Sequence, residues 1–145
     1  MQPWLLLVYK VPPKPTSSRV YVWRKLKKLG ALLWHDAVWI LPATPRTREH
    51  FQWLAAEIKE LGGEVQVWQA DTLLPGQEEA LVRQFESQAD EAYQAVLAGL
   101  KEPKADYAAA SRAYLQVQQQ DYFGSAWGPR IREELLNARK GEKEE

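Results

Sequence analysis

Proline and glycine cut the first seventy residues into short segments whose apolar period alternates between that of a strand and that of a helix, and this punctuation constrains the fold more than any other feature of the chain. Trp4 to Val11 is a β-rich apolar run closed by Pro12-Pro13, as a strand buried on both faces reads. The loop Pro12-Pro13-Lys14-Pro15-Thr16 is stiff and excludes a helix interior. Beyond it Thr16 or Ser17 is placed to cap a helix, residues 17 to 29, that ends at Gly30. Its apolar line is Val22, Leu26 and Leu29 with Trp23 beside it, and its other side carries Arg24, Lys25, Lys27 and Lys28.

Two strand-like runs follow, Ala31-Leu32-Leu33-Trp34 and Val38-Trp39-Ile40-Leu41, and His35-Asp36-Ala37 between them has the length of a hairpin loop. Pro42 stops the second run. Thr44 then caps a helix with Pro45 at its first position, on which Phe51, Leu54, Ala55, Ile58 and Leu61 recur at helical spacing before Gly62-Gly63 ends it. Glu64 to Ala70, with partial alternation, reads as a last strand at a sheet edge. The order βαββαβ over residues 1–73 is the split-βαβ or ferredoxin-like pattern, an α+β fold with an antiparallel sheet and both helices on one face.

From Leu74 the period becomes helical throughout. Leu81, Phe85, Ala89, Ala92, Val96 and Leu100 mark one long helix that Pro103 interrupts, and Tyr107, Ala110, Tyr114 and Val117 mark another. Asp121 to Gly128 is an aromatic and glycine-rich turn, and Pro129 opens a last helix on Ile131, Leu135 and Ala138. Residues 74–139 are thus expected to form a helical extension packed on the first domain, and the charged tail 140–145 to be disordered.

Composition limits what such a chain does. Nineteen basic residues balance nineteen acidic ones, so attraction to nucleic acid or anionic lipid has to come from a local patch. The absence of cysteine removes disulfides and thiolate chemistry and agrees with a reducing, cytoplasmic location. The apolar stretch Leu5 to Val8 is too short for a membrane span. No glycine-rich phosphate loop and no serine-elbow triad occurs, and Glu78-Glu79 and Glu133-Glu134 read as surface carboxylates. His35 and His50 are the only histidines, and His35-Asp36 reads as a polar turn rather than as a metal pair. No catalytic residue, cofactor or metal site is expected. Trp23, Trp34, Trp39, Trp53 and Trp68 are expected mostly in the core, a large apolar surface being what a small sheet with two helices needs to fill its centre.

With these residues set out, a family resemblance emerges. Trp4 to Tyr9, Ser18-Arg19-Val20 with Trp23-Arg24-Lys25-Leu26, Leu29-Gly30-Ala31, Asp36 to Pro42, Leu61-Gly62-Gly63-Glu64 and the later Asp121-Tyr122-Phe123-Gly124 resemble the N-terminal domain of ChrB-type chromate-resistance proteins. More distantly they are similar to the ferredoxin-like middle domain of PaaX repressors and to CRISPR-associated ferredoxin-like nucleases. The resemblance implies a chromate-responsive regulator of transcription. The nuclease relatives carry a metal-binding aspartate at the end of the first strand, where this chain reads Tyr9-Lys10-Val11, so nuclease activity is not expected. The longer proteins of the family carry a second domain, and for a chain ending at Glu145 two expectations stand open: that this half has been lost, or that it is encoded separately.

The residues suited to DNA phosphate are Arg19, Arg24, Lys25, Lys27 and Lys28, the alternative being a solvated helix face. Ser17, Ser18 and Arg19 supply a first helical turn with hydroxyls and a guanidinium, suited to chromate or another oxyanion, the alternative being an ordinary N-cap. Expected partners are therefore DNA, an oxyanion, a separate regulatory domain, and a second copy pairing along the edge strand. Two readings compete with this one: a protein-interaction adaptor without DNA binding, and a ferredoxin-like nuclease-related protein lacking the metal-binding aspartate.

Overall fold

The computed structural model describes residues 2–144, the last three by their backbone alone. Its elements are β1 (Trp4–Lys10), α1 (Thr16–Lys28), β2 (Leu32–Trp34), β3 (Val38–Pro42), α2 (Pro45–Glu60), β4 (Glu64–Ala70), α3 (Gln77–Leu100), α4 (Tyr107–Gln120) and α5 (Trp127–Glu144). The fold class is α+β, with the βαββαβ order expected from the punctuation. The chain divides between Glu78 and Glu79 into two compact units.

In the first unit the sheet is antiparallel with strand order β2-β3-β1-β4. Leu5 stands opposite Leu41 and Gln69, and Leu7 opposite Trp39 and Val67, so these side chains share one face. Leu5, Leu7, Trp39 and Leu41 are buried there, and Tyr9, two residues beyond Leu7, continues the row toward the strand end. The helices bury Val22 and Leu26 of α1, and Phe51, Leu54 and Ile58 of α2, at the three- and four-residue spacings that put side chains on one stripe. α2 packs on β1 and β4 and against α1. At about 1.5–3 kcal/mol for each fully buried large apolar side chain, this layer holds the unit together.

The hairpin between β2 and β3 turns on His35 and Asp36, whose φ angles of 53° and 57° are left-handed, and the Ala37 N–H donates to the Trp34 carbonyl at 3.2 Å. His and Asp are among the few side chains that tolerate this region, which is why a polar pair stands there.

The two helix starts differ. Thr44 caps α2 as expected: its Oγ1 accepts from the Thr47 N–H at 3.0 Å, while the Thr47 Oγ1 accepts from the Thr44 N–H at 2.9 Å and donates to the Pro42 carbonyl at 2.6 Å. α1 corrects the expectation of a Thr16 or Ser17 cap. Its N-cap is Pro15, with no side-chain cap, and the Ser18 N–H donates to the Pro15 carbonyl at 3.2 Å. Proline serves because its φ is already set and a helix start does not need its missing N–H.

The tryptophans also correct the reading. Of the five expected mostly in the core only Trp39 is buried, whereas Trp23, Trp53 and Trp68 are 49%, 60% and 57% exposed. Residue type suggested burial, but helical phase opposes it: Trp53 lies two residues past Phe51 and turns away from the stripe of Phe51, Leu54 and Ile58.

The second unit has its own core, Ala89, Tyr93, Val96, Tyr114, Val117, Ile131 and Leu135. α5 begins at Trp127, so Pro129 falls within its first turn, where no N–H is required. It also runs on to Glu144, correcting the expectation that the tail from Lys140 is disordered; lysine and glutamate propagate a helix well, and Gly141 alone does not stop it. Glu145 lies outside the described residues. Among those described, no helix is long and apolar enough to cross a membrane.

Candidate functional site

α1 carries Arg19, Arg24, Lys25, Lys27 and Lys28 and no acidic residue, and all five side chains are exposed. At about 100° per residue, the helix turns Arg24 and Lys28 away from the buried Val22 and Leu26, and sets Lys25 and Lys27 on its two flanks. Lys25 Nζ lies 5.5 Å from the Tyr21 ring centre and Lys27 Nζ 5.7 Å from that of Trp23. Cation–π contacts of this kind contribute about 0.5–1 kcal/mol at exposed positions and hold the ammonium groups over the helix surface. The Tyr21 hydroxyl donates to Glu57 on α2, which fixes the outer edges of the two helices to each other and raises the Tyr21 pKa.

Arg19 occupies a different side. It lies three residues before Val22, beside the buried stripe, where a cavity of about 520 Å³ is lined by Tyr9, Thr16, Arg19, Val20, Trp23 and Arg24. A second cavity of about 480 Å³ shares Tyr9, Arg19 and Trp23 and reaches Asp36 and Trp39. Burial pushes the Tyr9 phenol above its ordinary range, the nearby Arg19 charge opposing it, so Tyr9 is a neutral donor at physiological pH. The structure thus brings Arg19 and Arg24 into one cleft with Trp23, and leaves Lys25 and Lys28 on open surface. The sequence reading grouped Arg19 with the four cations of the outer side as one phosphate-binding set and missed the cleft, because Tyr9 enters it from β1.

Of the three residues read as an anion site, Ser17 and Arg19 are exposed and Ser18 is buried. Ser17 and Arg19 are two residues apart on a helix and so point in different directions.

A second polar cluster, which the sequence reading noticed only as a turn, joins distant parts of the helical unit. Tyr93 Oη donates to Asp121 Oδ2 at 2.9 Å, the Ser125 N–H donates to Asp121 at 2.9 and 3.0 Å, and Ser125 Oγ donates to Asp90. The Trp127 N–H in turn donates to Ser125 Oγ at 3.1 Å, which settles the start of α5. Every polar group in this set has a partner, and its evident work is to order α3, the Asp121–Gly128 turn and α5. Among the described residues, no group of three or more histidine, aspartate or glutamate side chains is placed to hold a metal ion.

The geometry defines an α+β unit with an acid-free cationic helix beside an aromatic cleft, continued by a helical unit. The chain belongs to the ChrB family: residues 19–123 match the family described as Protein ChrB, N-terminal. This is the family that the residues pointed to. Protein ChrB of Cupriavidus metallidurans is 37% identical over 62 residues, which cover 43% of this chain and 19% of that protein, so the match spans about a fifth of the relative's length. No solved structure matches.

Proposed function

We propose that this chain is a regulatory domain of chromate-resistance type that acts on transcription by presenting α1 to DNA. The observation that carries the reading is the cationic helix itself: five basic side chains, all exposed, with no acid among them, in a chain of zero net charge. A local field of this kind attracts phosphate where the whole molecule does not. Family membership supplies the link to chromate, and the effector in this reading is an oxyanion, with Arg19 the first cation within α1. Binding of the chain to duplex DNA from upstream of its own gene, measured by gel shift with and without chromate, tests both parts. Retarded DNA released by chromate supports the reading; no retardation at low salt contradicts it.

A second reading, a protein-interaction adaptor, is favoured by Leu115 and Leu136 in the helical unit, which are 54% and 48% exposed. In that case DNA is not bound and a partner protein covers these helices.

A further inference from the structure

The cleft beside α1 combines features that an open phosphate-binding surface does not need. Arg19 and Arg24 are five residues apart, which on a helix is about 7.5 Å along the axis and about 140° around it. Between them on the same side lie Val20 and Trp23, 39% and 49% exposed, and Tyr9 lines the same cavity from β1. Two guanidinium groups separated by an apolar stretch are poorly arranged to clasp one small inorganic ion, which wants its donors converging on a point. They suit a longer ligand with a flat apolar body and negative charge at its ends. The cavity of about 520 Å³ has the size of an ordinary small-ligand site. Lys27 Nζ lies over the Trp23 ring, 5.7 Å from its centre, so the ring already carries a cation beside it.

From this we infer that the cleft binds an unstacked nucleotide, its base laid against Trp23 and its phosphate held by Arg19, with Arg24 placed for the phosphate that follows. The inference goes beyond the duplex-binding reading of α1 and concerns other residues: in that reading Lys25 and Lys28 meet the backbone of a duplex, whereas here Trp23 and Arg19 hold a base and phosphate that have left the stack. Stacking of a base on an aromatic side chain is sequence-tolerant and strong enough to measure one residue at a time. Tyr9, neutral and beside Arg19, adds a hydroxyl donor to the phosphate end. The chemistry is the same whether the nucleotide is free or part of a strand.

The test is fluorescence anisotropy of the full chain with a labelled short oligodeoxyadenylate, and with the same strand carrying an abasic site at its centre. Trp23→Leu should weaken binding of the intact strand by about tenfold, and Trp23→Phe by much less. The abasic strand should bind the unaltered protein about as weakly as the intact strand binds Trp23→Leu, with no further loss when the two changes are combined. Arg19→Gln should weaken binding of both strands and reduce the dependence on salt. Circular dichroism and thermal melting confirm that the half-exposed Trp23 has been replaced without loss of fold. Competition by deoxyadenosine monophosphate identifies a free nucleotide as the ligand; failure to compete at millimolar concentration, with strand binding intact, identifies a strand. Equal affinity of Trp23→Leu and the unaltered chain for the intact strand, or an equal loss on intact and abasic strands, overturns the inference. Loss of duplex binding in Lys25→Ala/Lys28→Ala, with single-strand binding and its Trp23 dependence intact, separates the two sites; absence of duplex binding altogether removes the regulatory reading without touching this one.

Discussion

Tyr93 of α3 donates its phenolic hydrogen to Asp121 Oδ2 at 2.9 Å, closing a link between positions 28 residues apart. Burial first, and then the hydrogen bond to and the charge of Asp121, push the Tyr93 pKa far above the ordinary 10.0. A group whose folded pKa is raised contributes stability that is complete below the unfolded value and is lost as pH rises beyond it. Stability should therefore be level through neutral pH and fall above about pH 10. Tyr93→Phe should cost about 1–2 kcal/mol at neutral pH, since Asp121 keeps the Ser125 N–H, and should flatten the alkaline decline. Because Tyr9 is raised as well, a smaller slope should remain. Urea unfolding at pH 7 and pH 10.5 measures both effects.

Gly63 ends the turn after α2 where there is no room for a side chain. A Cβ there would lie 2.7 Å from the Lys10 carbonyl oxygen, 2.8 Å from Ile58 Cγ2 and 2.9 Å from Val11 Cγ1. Gly63→Ala should destabilise by about 1–3 kcal/mol, because the carbonyl belongs to the end of β1 and does not yield as a flexible side chain would. A melting temperature equal to that of the unaltered chain would show that β1 and the turn separate readily.

Thr47 is buried, and its hydroxyl both accepts from the Thr44 N–H and donates to the Pro42 carbonyl. Thr47→Val keeps the shape and removes both bonds, so about 1–2 kcal/mol of stability should be lost. Thr44→Ala removes the reciprocal half of the cap and should cost a similar amount. The double substitution should cost less than the sum, since the two residues share one set of bonds.

The elements legible in the sequence were those whose signals are local. Thr44-Pro45 announces α2, Gly62-Gly63 ends it, and Glu64–Ala70 is β4 to the residue. The start of α1 was misread because hydroxyl side chains at Thr16 and Ser17 drew attention from Pro15, whose backbone alone makes the cap. Trp53 and Trp23 were misassigned because their size outweighed their phase, although the neighbouring stripes Phe51-Leu54-Ile58 and Val22-Leu26 already fixed which side faces inward. Other features have no local signal. Tyr9 joins the Arg19 cleft only through the placement of β1 beside α1, and the Tyr93–Asp121 and Ser125–Asp90 bonds span 28 and 35 residues. Of the candidate site, then, the cations of α1 were readable and the aromatic cleft that divides them was not.

The helix α1 is the centre of the functional account, and its cations Lys25, on a flank, and Lys28, on the outward side, are both exposed, so their removal should leave the fold unchanged. The most direct measurement is the salt dependence of duplex-DNA affinity for the unaltered chain and for Lys25→Ala/Lys28→Ala. Each lost phosphate contact reduces the slope of log affinity against log salt by about 0.9. A weaker complex whose slope has fallen by about 2, with the fold intact by circular dichroism and a melting temperature lower by no more than the few degrees that loss of the Lys25–Tyr21 contact costs, is the predicted result. The same affinity and the same slope in both proteins would contradict the account and leave α1 a solvated face.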